Sequence, residues 1–135
     1  MLKTLHLKNI GLAPDLRVDW APRLNLITGD NGLGKSFLLD LAWWALTRTW
    51  AGMAALPPAA SKNPQIEYVV QGKAGEAKPV VSKFRRSDET WPVDAKRPPM
   101  PGIVVYIRID GGFSVWDPAR NYWRSDPGRP AAYHF

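Results

Sequence analysis

Cysteine is absent from this sequence, and histidine occurs only twice. The lack of thiols excludes disulfide frameworks, thiolate zinc sites and cysteine nucleophiles. With His6 and His134 as the only imidazoles, a histidine-based metal cluster is not expected. A chain without cysteine suits a reducing compartment, so the sequence predicts a cytoplasmic location.

Long apolar runs are also missing. The densest apolar stretch, residues 37–46, contains Asp40 and reaches about half of the length that spans a bilayer. Residues 1–8 alternate apolar and polar side chains, whereas a secretory leader presents a continuous apolar segment. We therefore expect neither membrane insertion nor an export signal.

The chain does contain enough apolar material for one core. Of its 135 residues, 45% are hydrophobic, which suits a single globular domain. Its 13 prolines and 11 glycines favour short elements joined by turns over a bundle of long helices. The net charge of +6 favours a polyanionic partner or substrate.

Three short strands are predicted in the first part of the chain. Alternation of apolar and polar residues predicts strands over residues 2–10 and 16–20, and these two are expected to pair. Residues 24–28 predict a third strand that ends at Gly29.

One helix is predicted from Lys35 to about Trp50, closed by Gly52. Apolar side chains occupy much of its circumference, so we expect the helix to be enclosed on several sides.

Two hairpins are predicted in the second part of the chain. The first joins residues 66–70 and 79–84 through a polar loop. The second joins residues 103–109 and 113–116 through the turn Asp110-Gly111-Gly112. Beyond it no periodicity is visible, and Trp123 is expected in the core or at a lobe interface.

A glycine-rich motif lies between the third predicted strand and the helix. Its eight residues fit the pattern G-x-x-x-x-G-K-[ST], the Walker A motif, in the strand-to-helix context that this motif requires. They are Gly29, Asp30, Asn31, Gly32, Leu33, Gly34, Lys35 and Ser36.

The residue types in this motif have a physical reason. Glycines allow backbone N–H groups to approach phosphate oxygens closely, and the helix start directs its N–H groups and dipole at the anion. We expect Lys35 to reach the β- and γ-phosphates as the catalytic cation, and the Ser36 hydroxyl to be a ligand of Mg²⁺. Asp30 should face outward, because a carboxylate inside the loop would repel phosphate.

Residues 31–36, with the opening strand and its Lys8-Asn9-Ile10-Gly11 ending, resemble ABC-type P-loop ATPases of the AAA family, in the RecF and structural-maintenance-of-chromosomes branch. The resemblance implies an α/β P-loop NTPase fold, with a mixed sheet and an antiparallel β lobe. On this interpretation residues 1–135 are the N-terminal portion of one ATPase domain, with a phosphate-binding core at 1–52 and the antiparallel lobe at 65–123.

The resemblance also implies a function. Such heads bind ATP and Mg²⁺, dimerise, and couple hydrolysis to work on DNA or a partner protein. The signature motif, Walker B carboxylates and switch histidine have no clear match, so we expect the remainder of the domain to be absent. The expected partners are then that C-terminal half or a second head. Two alternatives are a truncated or split regulatory module that binds nucleotide without catalysis, and a transporter ATPase subunit.

Four further groups of residues have competing interpretations. Asp110 could end a Walker B strand, although the hairpin turn is favoured because Arg108 interrupts the apolar run. Gln65 and Gln71 are both candidates for a glutamine loop, with neither preferred.

Residues 83–86 and Trp91 could form a basic, aromatic surface for nucleic acid, although a solvated strand end beside a core ring is favoured. His6 is interpreted as a solvated strand residue without a carboxylate neighbour.

Overall fold

The computed structural model describes residues 1–32, 34–71, 78–94, 101–119 and 132–135. Seven strands and the helix α1 lie wholly within these ranges. In chain order they are β1 (Leu2–Lys8), β2 (Asp15–Asp19), α1 (Lys35–Thr47), β3 (Gln65–Val70), β4 (Val80–Lys83), β5 (Val104–Ile107), β6 (Phe113–Trp116) and β7 (Tyr133–His134). No helix in this part of the chain is long and apolar enough to cross a membrane.

The larger sheet has four antiparallel strands in the order β2-β1-β3-β4. Leu5 at its centre is fully buried and lies opposite Val18 on one side and Tyr68 on the other. The predicted pairing of the first two strands and the first predicted hairpin are both confirmed. Most of the loop that connects β3 and β4 lies outside the described residues.

The smaller sheet has three antiparallel strands in the order β5-β6-β7. The second predicted hairpin is confirmed, with Gly111 at φ 84° and the Arg108 N–H donating to the Gly112 carbonyl at 2.8 Å. The strand β7 was not predicted, because two residues are too few to show a period. Trp123 lies outside the described residues.

The helix α1 lies between the two sheets. Leu41 and Trp44 are buried in the core that covers the larger sheet, whereas Trp43 is buried with Trp116 beneath the smaller one. Full burial of a large apolar side chain contributes roughly 1.5–3 kcal/mol. The expectation that the helix is enclosed on several sides is therefore confirmed.

The predicted end of the helix at about Trp50, with Gly52 as its cap, is wrong. The helix ends at Thr47, and Arg48 takes the left-handed conformation at φ 55° while its N–H donates to the Trp44 carbonyl at 2.7 Å. The Thr47 hydroxyl donates to the Trp43 carbonyl and accepts the Thr49 N–H. Such local bonds compete with the helical pattern and end it early.

The strand predicted at residues 24–28 is also wrong, since this segment pairs with no described strand. Leu24 and Leu26 are 82% and 85% exposed. The side-chain amide of Asn25 instead bonds both backbone groups of Ala21, at 2.8 and 3.1 Å. A strand needs a neighbour for its hydrogen bonds, and here the Asn25 side chain instead folds back to satisfy the backbone of Ala21.

The described architecture is mixed α/β, with every described strand pair antiparallel. The parallel pairing expected of a mixed sheet is not found among these strands. The larger sheet joins strands from residues 1–52 to strands from residues 65–123, so hydrogen bonds cross between the two predicted subregions.

Candidate functional site

A glycine-rich loop leads into α1, and together with the first two helical residues it forms the glycine loop, residues 29–36. Gly32 and Gly34 have φ values of 84° and 80°, in the left-handed region that favours glycine. Gly34 is the residue from which the helix starts. The backbone at Gly32 and Gly34 therefore takes a conformation that residues with a β-carbon rarely adopt, immediately before the helix.

The start of α1 carries no capping group. Gly34 has no side chain to bond the helical N–H groups, and the first turn contains no acidic residue. The first bond within the helix is donated by the Leu38 N–H to the Gly34 carbonyl at 2.9 Å. The preceding N–H groups thus have no partner inside the helix, and with the helix dipole they favour an anion.

The Lys35 side chain folds back over the loop. Its ammonium nitrogen donates to the carbonyl oxygens of Gly29 at 2.7 Å and Asp30 at 2.6 Å. An ammonium group has three donors, so one N–H remains beyond these two bonds. The loop itself therefore fixes the position of this positive charge.

Three other residues of the motif are exposed near the same helix terminus. Ser36 follows Lys35 in the first helical turn and is exposed, and Asp30 and Asn31 are exposed in the loop. Leu33 lies outside the described residues. The structure thus brings the lysine, the hydroxyl and the loop backbone together at one helix terminus.

The turn between β1 and β2 packs against this terminus. A β-carbon placed on Gly11 would lie 2.6 Å from Cε1 of the Phe37 ring, closer than two carbon atoms normally approach. One placed on Gly34 would lie 3.6 Å from Cδ1 of Leu12. Gly11 and Leu12 were not predicted to be neighbours of the site, because only the folded chain brings them there.

His6 has a carboxylate neighbour, contrary to our expectation. Its Nε2 lies 2.8 Å from Oδ1 of Asp15, across the β1–β2 pair. Asp15 is mostly exposed, so solvent weakens this contact. His6 lies on a strand as predicted, but its side chain is only 16% exposed, so the prediction that it is solvated is wrong.

The basic and aromatic residues near β4 make structural contacts. Trp91 is buried, and its indole N–H donates to the Ala55 carbonyl at 2.8 Å. Arg85 forms an ion pair with Asp88, and Arg86 donates to the carbonyls of two neighbouring loop residues, Pro58 and Ser61. The core interpretation of Trp91 is confirmed.

Asp110 lies in the hairpin turn between β5 and β6. Its Oδ1 accepts the Gly112 N–H at 2.8 Å and lies 3.6 Å from Nε of Arg108. These contacts support the turn interpretation over a Walker B strand. Of the two glutamine candidates, Gln65 begins β3 and the Gln71 N–H donates to the Met1 carbonyl.

The Tyr106 side chain on β5 lies close to the Asp40 carboxylate of α1. Burial and, next, the hydrogen bond to the Asp40 carboxylate raise the pKa of Tyr106 to about 12. The hydroxyl therefore stays protonated and links α1 to the smaller sheet.

Comparison with known families identifies the class of this domain. A family model described as an AAA domain matches residues 4–105, more than half of the chain, so the chain belongs to that family. This AAA-type domain is found in RecF/SMC-like ATPases, and the match is consistent with an N-terminal part of such a protein. Members have nucleotide-binding, ATPase-type functions and typically use ATP and Mg²⁺. No curated protein matches the chain.

Proposed function

We propose that the chain is the nucleotide-binding half of an ABC/RecF-like ATPase and that it holds ATP through the Walker A motif at residues 29–36. One observation carries this proposal. The Lys35 ammonium is fixed by the carbonyls of Gly29 and Asp30 at an uncapped helix start. Its third N–H and the N–H groups of the first helical turn can then bind phosphate oxygens together.

Lys35 also has a catalytic role in this proposal. As phosphoryl transfer proceeds, negative charge grows on the phosphate oxygens, and a fixed cation stabilises that charge without reorganisation. The Ser36 hydroxyl would hold Mg²⁺, since an oxygen ligand on the residue after the lysine suits that ion. When bound, the ion supplies charge neutralisation between the β- and γ-phosphates.

Hydrolysis, we propose, needs a second polypeptide segment, either the C-terminal half of the domain or a second head. Two observations support this. Leu24 and Leu26 are exposed on the segment that runs directly into Gly29, where a further element packed on this segment would cover them. Asp110, the alternative Walker B residue, is bound within its own hairpin turn.

The assembled ATPase would couple nucleotide turnover to work on DNA or a partner protein, in the cytoplasm. The net charge of +6 and the membership of the AAA family support this part of the proposal. A second candidate is a regulatory module that binds nucleotide without hydrolysis, and the turn position of Asp110 favours it for the chain by itself.

Titration calorimetry with ATP and Mg²⁺, paired with a phosphate-release assay on the same sample, tests the proposal. We expect the chain to bind ATP and to release little phosphate. Lys35→Ala should weaken binding strongly, whereas Lys83→Ala, an exposed lysine on β4, removes the same charge and should not. Equal affinities of wild type and Lys35→Ala would refute the site.

Two other outcomes are informative. Release that appears only after a C-terminal half is added would support the split-domain proposal. Steady release by the chain alone, lost in both Lys35→Ala and Asp110→Ala, would instead make it a complete small NTPase and overturn the role given to Asp110.

A further inference from the structure

We infer that the β1–β2 turn, through Gly11 and Leu12, positions the glycine loop for triphosphate binding without touching the ligand. The inference rests on the proposed function and adds two positioning residues to it. Both residues lie in the turn, which comprises residues 9–14, and both lie close to the start of α1.

Two hydrogen bonds and one buried side chain anchor the turn. Asn9 takes a left-handed conformation at φ 55°, and its N–H donates to the Pro14 carbonyl at 2.7 Å. The Asn9 side-chain amide donates to the Lys62 carbonyl at 2.7 Å, and Ile10 is buried in the core. With three anchors of this kind, the turn has a fixed position relative to the larger sheet.

The turn meets α1 at two points. The Gly11 backbone lies so close to the Phe37 ring that an added β-carbon would lie 2.6, 3.2 and 3.4 Å from three ring atoms. The Leu12 side chain approaches Gly34, where the helix starts, and its Cδ1 would lie 3.6 Å from a β-carbon added there. Phe37 and Gly34 flank Lys35 and Ser36 on both sides, so these contacts bracket the residues proposed to bind phosphate and Mg²⁺.

The exposure of Leu12 is informative. Its side chain is 73% exposed, so it contributes little to the core although it lies close to Gly34. A variant at this position can therefore change the loop with little effect on the stability of the fold. The geometry of phosphate hydrogen bonds depends on small displacements of the loop, because the N–H groups must align with the oxygens.

The test compares ATP affinities of folded variants by calorimetry. Gly11→Ala should force the Phe37 ring and the first helical turn to move, and should weaken ATP binding roughly tenfold, the effect of losing one hydrogen bond to a charged group. Gly111→Ala is the matched control, because Gly111 has φ 84° and no neighbouring atom within 4 Å of an added β-carbon. It carries the same backbone strain and should bind ATP as wild type does.

A second substitution that restores ATP affinity would distinguish a positioning effect from general destabilisation of the fold. Adding Phe37→Leu to Gly11→Ala makes room for the new methyl group and should restore most of the affinity. The amide NMR signals of Gly34 and Ser36 in the ligand-free protein should shift in Gly11→Ala and return in the double variant. Wild-type affinity in folded Gly11→Ala, or no rescue by Phe37→Leu, would overturn the inference.

If Gly11→Ala does not fold, Leu12→Ala decides the question. We expect a loss of ATP affinity of about threefold with little change in the unfolding free energy. Ile109→Ala, which truncates an exposed side chain on the β5–β6 hairpin, is its control. Unchanged affinity in Leu12→Ala would overturn the inference, whereas absence of ATP binding by the wild-type chain would refute the proposed function itself.

Discussion

Trp43 and Trp44 are neighbours in α1, yet their rings pack against different sheets. Trp44 meets Tyr68 of β3 edge-on with ring centroids 5.8 Å apart, and Trp43 lies 6.2 Å from Tyr106 of β5. Consecutive residues of a helix point in directions about 100° apart. One short helix can therefore present a large buried ring to each sheet.

Trp43→Ala and Trp44→Ala should each lower the free energy of unfolding by about 3–5 kcal/mol, because each leaves a large cavity in a buried cluster. Urea denaturation followed by circular dichroism measures the loss. Leu39→Ala, at an exposed position on the same helix, is the control. Losses no greater than that of the control would contradict the packing described.

Trp91→Phe should lower the free energy of unfolding by about 1–3 kcal/mol, because the buried Ala55 carbonyl loses its hydrogen-bond donor. The smaller phenyl ring also leaves part of the indole volume beside Phe84 and Trp44 unfilled, so the loss combines the missing N–H with a small cavity. Chemical denaturation is the measurement. If stability is unchanged, Trp91 is not held in the core by this bond.

Ionisation of Tyr106 should lower the free energy of unfolding at high pH. Its pKa is about 12 in the folded chain, against an ordinary value of 10.0. Between these pH values the unfolded chain loses this proton and the folded chain keeps it, so the unfolding free energy falls as pH rises. We expect a steeper fall in wild type than in Tyr106→Phe. Parallel pH profiles of the two proteins would contradict the burial and the Asp40 contact.

Ser36→Ala should affect ATP binding only when Mg²⁺ is present. The hydroxyl is proposed as a ligand of the ion, whereas the backbone N–H groups and Lys35 bind the phosphates directly. Titrations with Mg²⁺ and with EDTA measure the difference. An equal loss of affinity under both conditions would show that the hydroxyl acts on the phosphates or on the fold.

The features that were predicted correctly depend on short stretches of chain. The alternation in β1 and in the two hairpins, and the start of α1 after Gly34, follow from patterns of a few residues. The positions of the glycine-loop residues follow from the same local order. Their binding of nucleotide remains a prediction.

The features that were missed depend on distant partners or on side-chain bonds. Residues 24–28 have a strand pattern, but a strand forms only where a neighbour offers hydrogen bonds. The end of α1 depends on the hydroxyl of Thr47 and the conformation of Arg48, which periodicity does not report. The contact of Gly11 with Phe37 requires the folded sheet, so no local pattern reveals it.

The placement of α1 between two sheets has a mechanical consequence. Close-packed interiors are stiff and transmit strain. Trp44 packs against the larger sheet and Trp43 against the smaller one, on two sides of the helix. A force applied at the first turn of α1 would therefore be transmitted to both sheets. We therefore expect the two sheets to move together with α1 and not independently of each other.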